Sequence, residues 1–229
     1  MKEKTIIVFA PHPDDETWGC GGTIAKKVSQ GYEVLIVVMT DGRHAFFSIL
    51  GIDSDPTPEE LKEIRKEELK RSVKILGVPE RNIIFLDFED GTLEKNKNKV
   101  EEKVMEVLKK NPPTEIYFPY KRDFHPDHRV TNHMVKSSIK KLGLSPLQFQ
   151  YSITHKYSRI GPIIDKLLNL FLHNMVRINV TNFLHIKKAA VKEFKSEMDI
   201  ISTKQERPLV ADIKKYIRKY EVFFTERRK

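Results

Sequence analysis

The sequence predicts an α/β fold: a mostly parallel sheet with helices on both faces. Three observations carry this. Short, β-branched apolar runs recur along the first two thirds of the chain. Segments of helical period separate them, and the joins are short and marked by Gly, Pro and Asp. In such open sheets ligands sit beyond the carboxyl ends of the strands, so chemistry is expected there.

Thr5–Ala10 is a continuous apolar run, as a strand buried on both faces requires. A polar loop follows, and Gly21-Gly22 opens a helical pattern to about Gln30, closed by Gly31. Glu33–Thr40 is a second buried strand, and Asp41-Gly42 turns the chain after it. Residues 43–57 read as a loop. Thr57-Pro58-Glu59-Glu60 combines a capping residue, a proline at the first helical position and acids in the first turn. A helix therefore starts there and runs to about Leu76, stopping at Gly77. Asn82–Asp87 is a third strand, Glu94–Lys110 a helix stopped by Pro112-Pro113, and Glu115–Pro119 a fourth strand. A polar loop spans Tyr120–His128, a helix follows to about Leu142, and Gln148–Thr154 is a fifth strand.

Beyond this the rhythm breaks. Ile163–Val176 is amphipathic, with Asp165, Asn169 and His173 in one i, i+4 row. It reads as a helical insertion at 155–176 packed on the domain; a lid, an oligomer contact or a membrane-surface helix are the alternatives. Arg177–Thr181 reads as a last strand, Phe183–Ser196 as a helix, and Ile213–Glu226 as another helix or an ordered tail.

A length of 229 residues with 39% hydrophobic content suits one domain, 1–229, with a sizeable core. Neither a repeat nor a low-complexity tract appears. The run Ile6–Ala10 is too short for a signal-peptide core, and no stretch reaches the roughly 18 apolar residues of a membrane span. One cysteine, Cys20, excludes an intrachain disulfide framework, so a reducing cytoplasm is the expected setting. The net charge is +9, yet acids are interspersed along most of the chain; only Lys214–Lys229 is lopsided, with seven Lys/Arg against two Glu. No aromatic-interleaved basic motif accompanies the charge, which disfavours nucleic acid as a partner. Oligomeric state is open, and a homo-oligomer is compatible with the sequence.

Two loops carry chemistry-bearing residues. Pro11-His12-Pro13-Asp14-Asp15-Glu16 follows the first strand, and His125-Pro126-Asp127-His128 follows the fourth. A catalytic zinc takes three protein ligands and leaves one position for water. His12 and Asp15 can face one point if Pro13 turns the chain, and His128 can supply the third ligand. Nitrogen and carboxylate donors without thiolates fit zinc, with iron, cobalt or manganese as alternatives. Asp14, beside a ligand, is then placed as a general base for water. His125 is placed to stabilise an oxyanion or to protonate a leaving amine, and Asp127 to orient His125 and raise its pKa. The competing reading makes the acids a helix start and the second loop a solvated turn. The coincidence of both loops at strand ends, each with a proline, favours the functional reading.

Both loops resemble the signatures of the LmbE-like, or PIG-L-type, N-deacetylases: the His-Pro-Asp-Asp-Glu motif stands unbroken within Pro11–Glu16, and His-Pro-Asp-His at His125–His128. The resemblance implies a Rossmann-like fold and zinc-dependent removal of acyl groups from N-acylated amino sugars or their conjugates. It implies zinc on His12, Asp15 and His128, Asp14 as base, and His125 at the oxyanion or leaving group. Thr40-Asp41-Gly42, Arg65-Lys66-Glu67-Glu68 with Leu76-Gly77, and Asp90-Gly91 are weaker echoes. Through them Arg65 and Asp41 become candidate substrate-binding residues, with Glu68 a local partner. The likeness covers roughly residues 5–135. Lys195-Ser196-Glu197 stands where many members carry a His/Tyr-x-Ser-Gln-like helix end, which leaves specificity open. A non-catalytic sugar- or anionic-polymer-binding protein and a phosphoester hydrolase are the competing functions. Cys20 and Trp18 read as core, Asp53 and Asp55 as loop acids, and His44 and His155 as residues able to reach the pocket.

Overall fold

The computed structural model describes residues 4–153 and 173–226. Five parallel strands, β1 (Thr5–Ala10), β2 (Glu33–Thr40), β3 (Ile83–Phe88), β4 (Glu115–Pro119) and β5 (Leu147–Tyr151), alternate with helices. With β6 (His173–Asn179) and β7 (Tyr220–Glu226) they form a seven-stranded sheet ordered β3-β2-β1-β4-β5-β7-β6. β1 lies between β2 and β4, so the chain winds one way to β3 and the other way to β5. The crevice at such a reversal is where open α/β sheets bind ligands.

The apolar strands face helices on both sides. Ile6 and Val8 of β1 pack with residues of α1 (Asp15–Ser29) and α3 (Pro58–Ile75), among them Ile24, Leu69 and Val73. Ile7 and Phe9 point the other way, against Val100, Val104 and Leu108 of α4 (Lys97–Lys110) and Val130, Met134 and Val135 of α5 (Pro126–Lys141). This two-sided burial explains why β1 and β2 read as unbroken apolar runs rather than alternating ones. α3 starts as its sequence dictates: the Thr57 hydroxyl accepts from Glu60 N–H while the Glu60 carboxylate accepts from Thr57 N–H, a reciprocal cap.

Several elements differ from the sequence reading. α1 starts at Asp15, inside the loop motif, and kinks at Cys20 (φ −144°, ψ 21°). The predicted start at Gly21 is the start of its second half. The free N–H groups there, Gly22 and Thr23, donate to the Glu221 carboxylate of β7 at 2.9 and 2.7 Å. α2 (Ala45–Leu50) forms within the expected loop, where Phe46 buries against Ile52 and Leu61. α5 begins at Pro126, so Asp127 and His128 are helical. Residues 220–226, read as helix or tail, are a strand inserted between β5 and β6. The 183–196 segment splits into α6 (Leu184–Val191) and α7 (Lys195–Met198). The amphipathic segment expected at 155–176 lies outside the described residues, as does His155, except that His173–Val176 belong to β6.

Candidate functional site

The neighbouring strands β1 and β4 end at the winding reversal, so the loops after them meet. Thr40 at the end of β2 pins the first loop, donating from backbone N and Oγ1 to the Pro11 carbonyl at 2.9 and 2.8 Å. α1 then carries Asp15 in its first turn. On the other side His125 caps α5, its Nδ1 accepting from Asp127 N–H at 3.3 Å. Pro126 occupies the first helical turn, and His128 follows one turn's length behind the cap.

His12 Nδ1, Asp15 Oδ2 and His128 Nε2 form a triangle with edges of 3.2, 3.1 and 3.3 Å. Zinc bonds of about 2.0–2.1 Å in a tetrahedral arrangement put ligand atoms roughly 3.3 Å apart, so the three donors have the spacing such an ion needs. All three side chains are buried. The ligand atoms of His12, His125 and His128 also lie within 4.8 Å of one another, as do those of His12, Asp90 and Asp127.

Charge dominates this cluster. Burial works to lower the His12 pKa but is outweighed by Asp90, Asp127 and Asp15, which hold it well above its usual value. Burial is likewise outweighed at His128, where Asp15 and Asp123 push the imidazole up to about 9. Burial favours neutral Asp15, yet the two imidazoles hold its carboxyl well below the carboxylate range. Four carboxylates around two rings make a pocket that demands positive charge. His125 goes the other way. Burial first, then the His12 and His128 rings, bring it down to about 4, against the upward pull of Asp127 and Asp15. Asp127 thus pulls the His125 pKa upward as expected, but burial and the two neighbouring rings outweigh it, and Asp127 Oδ2 itself lies 3.5 Å from His12 Nε2 and accepts from Gly91 N–H at 2.8 Å.

Asp14 sits outside the triangle. Its Oδ2 accepts from Arg65 Nη2 at 2.7 Å, and the same nitrogen donates to Glu197 Oε1 at 2.9 Å. Arg65 is buried and its Nη1 donates to the Gly42 carbonyl at 2.9 Å. A Cβ on Gly42 would lie 2.8 Å from Arg65 Nη1, and φ there is +65°, so this turn requires glycine. Glu197 also accepts from Trp18 Nε1 at 3.2 Å. Burial, and next to it the Asp14 carboxylate, push the Glu197 carboxyl well up. Glu68 seats this residue from below, accepting from Ser196 N and Oγ at 2.8 and 2.5 Å. Asp41 accepts from Arg43 Nε at 2.8 Å and from Asp90 N–H at 3.3 Å, which sets the Asp90-Gly91 turn against the site.

The fold thus gathers His12, Asp14, Asp15, His125, Asp127 and His128 at one point, with Arg65 on Asp14 and Asp41 behind Asp90. Sequence reasoning assigned no role to Asp90, Asp123 or Glu197. Asp90 had a signal, the Asp-Gly turn after a strand. Asp123 had only its nearness to the second motif, and Glu197 only its place in Lys195-Ser196-Glu197, with nothing to say that it docks on Trp18, 179 residues before it.

A family model described as PIG-L, GlcNAc-PI de-N-acetylase, matches residues 7–139, which contain both loops. The chain belongs to the PIG-L family. This PIG-L chain is 29% identical to a diacetylchitobiose deacetylase of Thermococcus kodakarensis over 85% of its own length and 70% of the relative's. It is 31% identical to a probable N-acetyl-alpha-D-glucosaminyl L-malate deacetylase 2 of Bacillus anthracis, over 70% and 71% of the two chains. Among solved structures it resembles an N,N'-diacetylchitobiose deacetylase from Pyrococcus horikoshii, with a TM-score of 0.69, 26% identity and coverage of 97% of this chain and 83% of that one. The α/β fold expected of this PIG-L member is the observed one. Among its described residues no helix is long and apolar enough to cross a membrane.

Proposed function

We propose that this protein is a zinc-dependent hydrolase that removes the acetyl group from an N-acetylated amino sugar or its conjugate. The triangle of His12 Nδ1, Asp15 Oδ2 and His128 Nε2, with Asp14 outside it, carries the reading. His12, Asp15 and His128 are the ligands. When bound, the cation supplies Lewis acidity, which acidifies water and polarises the amide carbonyl.

Asp14 takes the proton from the attacking water. Arg65 orients it through the 2.7 Å contact. Asp14 then carries the proton across to the departing amine. His125 serves the oxyanion. Its Nδ1 accepts from the Asp127 backbone, so the neutral ring bears its proton on Nε2, where it can be donated to the carbonyl oxygen. Asp127 supports His12, and Asp41 acts through Arg43 and the Asp90 turn. A non-catalytic binding role leaves unexplained why a base is held beside the ligands by a buried guanidinium.

The test is amine release from N-acetylglucosamine conjugates, including the disaccharide, with and without chelator. Release that stops with chelator and returns with zinc is expected. Asp14→Asn should keep its zinc and lose about 10²–10⁴ in kcat. Unchanged turnover in that variant removes Asp14 as base, and chelator-insensitive release removes the metal.

A further inference from the structure

We propose that buried carboxylates behind the two histidines select the nitrogen each presents to the cation, and select oppositely: Nδ1 of His12, held from behind by Asp90 and Asp127, and Nε2 of His128, held by Asp123. The inference rests on the ligand set proposed above.

A ligating imidazole offers a lone pair on one nitrogen and carries a proton on the other. Whatever accepts that proton sets the tautomer and the ring's orientation. In His12, Nδ1 lies 3.2 Å from Asp15 Oδ2 and 3.3 Å from His128 Nε2. Its Nε2 lies 3.2 Å from Asp90 Oδ1 and 3.5 Å from Asp127 Oδ2. His128 is reversed: Nε2 lies 3.1 Å from Asp15 Oδ2, and Nδ1 3.3 Å from Asp123 Oδ1. Both rear nitrogens are buried and make no well-aligned hydrogen bond among the described residues; the carboxylates at 3.2–3.5 Å are the acceptors set beside them.

The rear carboxylates are anchored in turn. Asp127 Oδ2 accepts from Gly91 N–H at 2.8 Å, and His44 N–H donates to Asp90 Oδ2 at 3.2 Å. Asp123 Oδ1 also accepts from His125 N–H at 3.2 Å, and its Oδ2 from Ile153 N–H at 3.3 Å. Every group facing Asp123 in these contacts donates. An Asn there would turn an N–H toward one of them whichever way it lies. The competing arrangement grips the cation with His12 Nε2, Asp90 and Asp127, whose ligand atoms also lie within 4.8 Å of one another. It requires the opposite nitrogen of His12.

The tautomers are read on the zinc-loaded wild-type protein by long-range ¹H–¹⁵N correlation of the histidine rings, with His12→Gln and His128→Gln spectra giving the assignments. Expected are a coordinated Nδ1 with protonated Nε2 for His12, and the reverse for His128. The opposite nitrogen coordinated on either ring overturns this inference and leaves the ligand set standing. A ring without coordination overturns the ligand set itself. Chelator competition on Asp123→Asn and Asp90→Asn should show zinc held roughly 10–100-fold more weakly than in wild type. Wild-type affinity in both variants overturns the role given to these carboxylates, whatever their activity.

Discussion

At the scale of single residues, the site works because neighbours of like type are given different surroundings. Asp14 and Asp15 are adjacent, yet one meets a guanidinium and the other two imidazoles. The three histidines divide in the same way. Carboxylates hold His12 and His128 as cations in the metal-free protein, while burial and those two rings keep His125 neutral. A zinc ion entering the triangle must therefore displace protons from His12 and His128. The folded pKa of His128 is raised to about 9, so below that pH zinc competes with its proton and affinity climbs as pH rises. At pH 7 close to two protons should leave per zinc bound. Calorimetry in buffers of different protonation enthalpy measures this number, and a value near zero would contradict the cationic state of the two rings.

At the scale of elements, the kink in α1 separates a half at the candidate site from a structural half. The first half delivers Asp15, with the Glu16 carboxyl buried behind it and pushed up to about 8, chiefly by desolvation. A Cβ on Gly19 would lie 2.5 Å from the Tyr151 ring, so the helix approaches β5 more closely than any side chain allows. The second half needs acceptors for its own leading N–H groups, and Glu221 of β7 supplies them. Glu221 is paired with buried Lys187 of α6, whose ammonium also donates to the Trp18 carbonyl at 2.9 Å. Removing one partner of such a pair strands the other charge, at a cost of about 3–5 kcal/mol. Glu221→Gln should accordingly lower the midpoint of thermal unfolding by several degrees more than Glu102→Gln on the exposed face of α4. Equal midpoints for the two variants would show that the pair and its cap are dispensable.

Across the whole molecule, the site is a junction between distant parts of the chain. His12 and His128 are 116 residues apart, and Arg65 and Glu197 are 132 apart. A cation held as proposed by His12, Asp15 and His128 would clamp the β1–α1 join to the β4–α5 join. At a hundred times its dissociation constant a ligand adds about 2.7 kcal/mol to stability, which for a chain of this size raises the melting midpoint by roughly 5–10 °C. Chelated protein should melt lower than zinc-saturated protein by that margin. The same midpoint in both states, or a shift that survives in His128→Ala, would place the ion elsewhere.

The sequence by itself determined what depends on near neighbours. β1, β2 and β4 occupy the predicted bounds because continuous apolar runs between turn residues are a local signal, and α3 starts at its predicted cap for the same reason. The two histidine motifs were legible because each is a compact string, and their position after β1 and β4 followed from the strand pattern. Only the tertiary structure decided the pairings that periodicity does not encode: that Glu197 reaches Arg65, that Asp90 and Asp123 stand behind the two rings, and that residues 220–226 are a strand between β5 and β6. Periodicity records which face of an element is apolar. It carries no record of which buried carboxylate will meet which imidazole, because that pairing is settled by how packing turns each side chain, whether the partner is near in sequence, as Asp123 is to His128, or far, as Asp90 is from His12.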